Sequence, residues 1–151
     1  MTKILFVCHG NICRSTMAEF VMKDLVRKAG LEDRISVDSK ACRTDELGND
    51  TYFGTKAVLR EKGIPFTRRR ATQIKREDYA PNDYIIGMDR ENMRDLARIM
   101  GGDPEGKLHL LMDFAGEHRE VADPWFTGDF ETTYEDVSRG CKALLAEVKG
   151  L

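Results

Sequence analysis

The apolar positions of this chain fall into alternating short runs and helical periods. Ile4-Leu5-Phe6-Val7 is a continuous apolar run with β-branched members, which predicts a buried strand over Lys3–Val7. Ala18, Val21, Met22, Leu25, Val26 and Ala29 then recur at three- and four-residue steps, which predicts a helix over Ser15–Ala29 closed by Gly30. A second strand is predicted over Arg34–Asp38 and a second helix over Tyr52–Lys62, ended by Gly63 and Pro65. Asp83–Gly87 reads as a third strand and Arg90–Met100 as the helix after it, with Gly101-Gly102-Asp103-Pro104 as a turn. Lys107–Leu111 reads as a fourth strand. Thr132–Lys149 completes the series as a helix with Val137, Cys141, Leu144, Leu145 and Val148 on one face.

Strands alternating with helices imply an α/β fold: a parallel four-stranded sheet in a single domain, with helices on both faces. Its 151 residues fit one domain able to bury a core. No internal repeat, low-complexity tract or interdomain linker interrupts the pattern. Ligands of such sheets bind beyond the carboxyl ends of the strands, near a switch in strand order. Lys40–Asp50 and Asp113–Gly128 are the long connections expected beside that end.

Composition removes several function classes. Hydrophobic content of 41% and charged content of 33% suit a globular chain. A net charge of −2 gives no general attraction to nucleic acid. The N-terminal apolar run is too short for a signal peptide or a membrane span, so the expectation is a cytoplasmic protein with no membrane partner. The cysteines are Cys8, Cys13, Cys42 and Cys141. Without a secretion signal a disulfide framework is not expected. Cys8 and Cys13 lack metal-ligand spacing and a Cys/His cluster, so neither zinc nor any other cofactor is expected.

The chemistry concentrates in Cys8-His9-Gly10-Asn11-Ile12-Cys13-Arg14-Ser15, between the first strand and the first helix. Main-chain N–H groups of such a loop can point at an anion, and the helix N-terminus adds partial positive charge. The same field favours a thiolate at Cys8, the reactive form. Arg14 can clamp two phosphoryl oxygens with its planar fork. A buried, inert cysteine at a strand end is the bland alternative. Arg14 weighs against it, because a cation at a helix start is misplaced unless an anion occupies the loop. Gly10 and Asn11 both tolerate left-handed backbone, and Ser15 suits the helix N-cap. Asp123 is the candidate general acid, since Pro124 restricts it to extended geometry and Trp125 and Phe126 can wall an aromatic ring. Asp103 also precedes a proline, but it sits in a glycine-rich turn without aromatics.

The loop resembles the signature of the low-molecular-weight protein tyrosine phosphatases. Val37-Asp38-Ser39, Gly63-Ile64-Pro65, Asp83-Tyr84-Ile85, Met88-Asp89 and Asp123-Pro124-Trp125-Phe126 follow in that family's order and rough spacing, so the resemblance spans nearly the whole chain. It implies a flavodoxin-like fold of the phosphotyrosine phosphatase I type. It also implies hydrolysis of phosphotyrosine through a phosphocysteine, with Cys8 as nucleophile, Arg14 as phosphate clamp and Asp123 as general acid and base. His9, Gly10, Asn11, Ile12, Cys13, Ser15, Asp45, Trp125 and Phe126 would then contact substrate. Ser15 would bond the Cys8 thiolate, and Ser39 would support Asn11. Cys13 would form a reversible disulfide with Cys8 that guards against over-oxidation. Ile12 stands where the phosphoarginine phosphatases of this superfamily usually carry threonine, and so points to the tyrosine branch. The implied partner is a tyrosine-phosphorylated protein, a cognate tyrosine kinase among them; no oligomeric state follows.

Some places depart from the family pattern. Thr16 replaces a common proline. Asp45 falls where an aromatic pocket wall is common, which predicts an acidic wall that disfavours acidic phosphopeptides or prefers basic ones. Arg68-Arg69-Arg70 covers a common histidine that bonds the loop asparagine, so Arg69 or a neighbour is expected to replace it, unless the run is simply a solvated face. His9 replaces a more usual leucine and is expected to line the pocket mouth rather than act as a base. Two further readings compete. A thiol-dependent arsenate reductase needs a cysteine relay, and Cys42 and Cys141 are far apart in sequence. A non-catalytic phosphate-binding module has no need of Cys8, Arg14 and Asp123 together.

Overall fold

In the computed structural model, which describes residues 1–150, the elements run β1 (Thr2–Cys8), α1 (Arg14–Lys28), β2 (Ile35–Ala41), α2 (Phe53–Glu61), β3 (Tyr84–Gly87), α3 (Arg90–Met100), β4 (Leu108–Leu110), α4 (Pro124–Thr127) and α5 (Phe130–Lys149). The strands form one parallel sheet in the order β2–β1–β3–β4. Register places Ile4 between Val37 and Tyr84.

Successive side chains of a strand point to opposite faces, and β1 buries both. Ile4, Phe6 and Cys8 enter one core layer with residues of α1 and α5, while Leu5 and Val7 enter the other with Leu96 and Met100 of α3. α2 packs on α1 and α5. The expected α/β architecture, with helices on both faces, is therefore the observed one. After β1 the chain turns to β2 on one side; β3 lies on the other. The strand order thus switches at β1, and the loop that starts at Cys8 leaves its carboxyl end.

The boundaries differ where polar residues are buried or apolar ones are not. β2 runs to Ala41 rather than Asp38, because Ser39, polar in sequence, is wholly buried and hydrogen-bonded. Ala29 caps α1 in the exposed shell instead of continuing its buried face. α5 begins at Phe130 rather than Thr132, capped by the Asp129 carboxylate accepting from Thr132 N at 3.0 Å. Leu111 leaves β4 and opens a 3-10 turn through Ala115. A second 3-10 turn, Arg76–Asp78, and the single turn of α4 lie in segments without helical periodicity. The Asp103 carboxylate accepts from Tyr79 Oη, Lys107 N and Leu108 N, which explains its presence in the turn without any catalytic role.

Candidate active site

The loop from Cys8 to Arg14 is anchored by its carbonyls. Those of Cys8, His9 and Ile12 accept from the amides of Cys42, Arg43 and Tyr52. The amides of Gly10, Asn11, Ile12 and Cys13 find no acceptor among the described residues, which leaves them as donors for an anion. Asn11 carries the left-handed backbone that folds the loop, at φ 61°. On the inner side Ser15 Oγ lies 3.1 Å from Cys8 Sγ, and the Ser15 amide donates to the same sulfur at 3.4 Å.

A chain of directed hydrogen bonds stands behind that sulfur. The Arg69 guanidinium, which can only donate, gives Nη2–H to Asn11 Oδ1 at 3.0 Å and Nη1–H to Ser39 Oγ at 2.6 Å. With its oxygen so engaged, Asn11 turns Nδ2 toward Ser15 Oγ at 2.8 Å and Ser39 Oγ at 2.9 Å. Ser15 Oγ accepts that bond, and its own O–H is left to donate to Cys8 Sγ when the sulfur is a thiolate; as a thiol, Cys8 donates to Ser15 Oγ instead. Buried Glu19 closes the far end, accepting from Ser39 Oγ at 2.5 Å and pairing with Arg69 at 3.1 Å. Arg69, not its neighbours, thus fills the expected place beside Asn11, and it is not part of a solvated face. Glu19 escaped the sequence reading, because a lone glutamate in a helix carries no signal until its burial is known. Thr16 bonds back to the Cys13 carbonyl at 3.1 Å.

Arg14 is buried at the base of the cleft. Its Nη1 donates to Asp89 Oδ2 at 2.8 Å and to the Val121 carbonyl at 3.0 Å, and its Nη2 lies 3.5 Å from Asp123 Oδ2. Burial opposes its charge, but Cys8, Asp89 and Asp123 together outweigh burial and raise its pKa. Asp89 serves twice, since it also caps α3 by accepting from Asn92 N at 2.7 Å. Asp123 caps α4 through Trp125 N at 3.0 Å, which aims the carboxylate back over Arg14.

These residues line one cleft of about 850 Å³ that also includes His9, Gly10, Ile12, Cys13, Asp45, Trp125 and Phe126. Trp125 and Phe126 are exposed at its mouth, 53% and 84% accessible. Trp125 meets the ring of Tyr52 edge-on at 5.0 Å, and Tyr52 stacks on Phe130 at 5.7 Å. Gly54 makes room for that stack, since a Cβ there would sit 2.5 Å from the Phe130 ring. Asp45 is at the rim, as expected, but it is not a bare acidic wall. His9 Nε2 lies 2.6 Å from Asp45 Oδ2, and His9 Nδ1 lies 3.5 Å from Glu91 Oε1. Glu91, two residues into α3, gave no signal in sequence.

Cys13 is buried, and burial with the neighbouring Cys8 pushes its thiol up to about 12. Cys42 and Cys141 are buried too, and desolvation raises both. They belong to core layers on opposite faces of the sheet, so they cannot hand a disulfide to one another. Among the described residues no group of three or more His, Cys, Asp or Glu is arranged to hold a metal ion. Among the same residues no helix is long and apolar enough to cross a membrane.

Residues 3–150 match the family model described as low molecular weight phosphotyrosine protein phosphatase. The chain is 39% identical to the low molecular weight protein-tyrosine-phosphatase YfkJ of Bacillus subtilis, over 99% of this chain and 97% of that one. The crystal structure of that protein superposes with a TM-score of 0.96, covering 99% of this chain and 96% of that one. The human low molecular weight phosphotyrosine protein phosphatase is 37% identical over 94% of this chain and 92% of its own. The structure of the Streptococcus pyogenes enzyme, also 39% identical, gives 0.88 over 97% and 93%. A cysteine and an arginine facing one anion-ready loop, in a fold matched from end to end, place this chain in the low molecular weight phosphotyrosine protein phosphatase family.

Proposed function

We propose that the chain hydrolyses phosphotyrosine in proteins through a phosphocysteine formed on Cys8. The observation that carries this reading is the convergence of Cys8 Sγ, the fork of Arg14 and the Asp123 carboxylate on one cleft beneath the loop amides. The sulfur attacks phosphorus as the bond from phosphorus to the tyrosyl oxygen breaks, and Asp123 gives its proton to that oxygen. The resulting carboxylate then takes a proton from water. The water oxygen attacks phosphorus, the P–S bond breaks with its electrons on sulfur, and phosphate leaves. Arg14 and the loop amides stabilise the equatorial oxygens in both steps.

Ile12, Trp125 and Phe126 supply apolar and aromatic walls for a phenyl ring, and relatives at 37–39% identity are named as tyrosine phosphatases. The substrates are phosphoproteins, among which a cognate tyrosine kinase is a natural member. The deciding measurement is kcat/KM on matched phosphotyrosine and phosphoarginine peptides, in reducing buffer with a chelator. Preference for phosphotyrosine is expected, and preference for phosphoarginine would overturn the substrate assignment. Replacing Cys8 with Ser should abolish turnover and preserve phosphate binding; an active Cys8→Ser variant would overturn the mechanism.

A further inference from the structure

The mouth of the cleft holds a charge cluster that the proposed chemistry does not use. His9 follows the nucleophile candidate directly, and its ring stands between two elements. Nε2 faces Asp45 on the loop after β2 at 2.6 Å, and Nδ1 faces Glu91 on α3 at 3.5 Å. Carboxylates only accept, so a ring that serves both must donate from both nitrogens, as the imidazolium does. We infer that His9 is a specificity-determining residue that sets, according to pH, how strongly the cleft discriminates between acidic and basic phosphopeptides. The inference rests on the reading of the cleft as a phosphopeptide site.

With His9 charged, the three side chains carry a net charge of −1; with His9 neutral they carry −2. The second state repels acidic residues beside the phosphotyrosine more strongly and attracts basic ones. The hydrogen bond that His9 donates to Asp45 raises the pKa of His9 above its ordinary 6.5, against partial burial, and Glu91 adds to the rise. The switch therefore operates on the alkaline side of 6.5. The other charged and titratable groups of the cleft face both peptides of the comparison below alike. From its own loop these are Cys8 and Arg14; from the loop after β2, Arg43 and Glu46. Arg14 is held by Asp89 and Asp123, and Arg43 by Asp95 at 2.9 Å. α3 contributes Asp89, Arg90 and Arg94, and the segment before α4 contributes Glu120 and Asp123.

The test uses two phosphotyrosine peptides that differ only in flanking Lys or Glu, with kcat/KM measured from pH 6 to 8.5. The ionisations that turnover requires of the enzyme are common to both peptides and cancel in their ratio, and each peptide's own phosphate ionisation, measured by phosphorus NMR, is divided out. The ratio of Lys-flanked to Glu-flanked should rise about threefold across the range at low salt, the size of one screened charge at the rim. In His9→Gln it should be high and flat. His118→Gln, which removes the exposed partner of Asp113, should keep the wild-type rise. A flat wild-type ratio, or a rise that survives in His9→Gln, would overturn the inference and leave the phosphatase reading intact. If neither peptide is turned over, it is the phosphatase reading that fails. The same ratio is then taken from binding, through the fluorescence of Trp125, the chain's single tryptophan. NMR titration of the histidine rings gives an independent measure. The His9 signal should titrate above 6.5 and move down in Asp45→Asn; no movement would contradict the pairing.

Discussion

Arg69 fixes the direction of the hydrogen bonds that end at the Cys8 sulfur, so its removal should act on chemistry as well as on folding. Arg69→Met frees Asn11 to rotate and leaves buried Glu19 short of a partner. It should lower kcat about a hundredfold through misplacement of the loop and lower stability by about 1–3 kcal/mol. Arg69→Lys keeps a charge for Glu19 but cannot span Asn11 and Ser39. Recovery of stability without recovery of kcat in that variant, read by urea denaturation and steady-state kinetics, would identify Arg69 as a positioning residue. Asp123→Asn should cost about 10²- to 10⁴-fold in kcat on phosphotyrosine and far less on an aryl phosphate whose leaving group needs no proton. Equal losses on both substrates would deny Asp123 the acid role. For the proposed Cys8–Cys13 disulfide, peroxide would oxidise Cys8 to the sulfenic acid, and the Cys13 sulfur would then displace water. Burial alone keeps the Cys13 thiol above its ordinary value, so closure should accelerate with pH between 6 and 9, approaching about tenfold per unit, followed as thiol-reversible inactivation. Cys13→Ser should lose that reversibility. Cys8, Arg14 and Asp123 were legible in sequence because chemistry limits which residue types can serve at such spacing. Glu19 and Glu91 were not, since their roles come from partners some twenty to eighty residues away.

At the level of elements, the hydrophobic pattern located every strand and every long helix, because one-sided burial gives a helix its 3.6 period and burial on both faces gives a strand such as β1 a continuous apolar run. It failed where polar side chains are buried in a network, as at Ser39 on β2, and where a segment is too short to show a period, as in α4. Helix α5 holds a constraint of another kind. A Cβ on Gly140 would meet Leu111 Cγ at 2.6 Å, so the glycine sets how closely α5 approaches the turn after β4. In an open helix Gly→Ala would add about 1 kcal/mol of stability. Here overpacking should cost about 1–3 kcal/mol and outweigh that gain, lowering the urea midpoint. A raised midpoint for Gly140→Ala would show that Leu111 yields freely.

For the molecule as a whole, the charged pairs define a stability window. Asp95 resists burial through Arg43 and Arg98, and Arg139 and Arg119 hold Glu117 low, so both carboxylates titrate below their ordinary values of 3.8 and 4.5. A depressed carboxylate contributes stability that is present above its unfolded pKa and lost as pH falls through the folded one. The raised pKa of His9 acts in the opposite sense: its contribution is complete below 6.5 and lost as pH rises through the folded value. Stability should therefore be greatest between about pH 5 and 6.5, fall below pH 4, and decline slightly on the alkaline side; Tm across that range checks it. In His9→Gln the decline between pH 6.5 and about 8 should vanish, leaving the loss at higher pH that the buried thiols of Cys13, Cys42 and Cys141 impose. The fold also limits the chemistry. Cys8 stands where the strand order switches, while Cys42 and Cys141 lie in separate core layers, so the sheet itself prevents the cysteine relay that arsenate reduction of that type would need.

The central claim is a covalent bond between Cys8 and phosphorus, and rapid-quench mass spectrometry on the Asp123→Asn variant with a phosphotyrosine peptide tests it most directly. A single phosphoryl group on the peptide containing Cys8, formed and lost within one turnover, is the predicted result. Release of phosphate from an active enzyme that never carries phosphorus on Cys8 would contradict it.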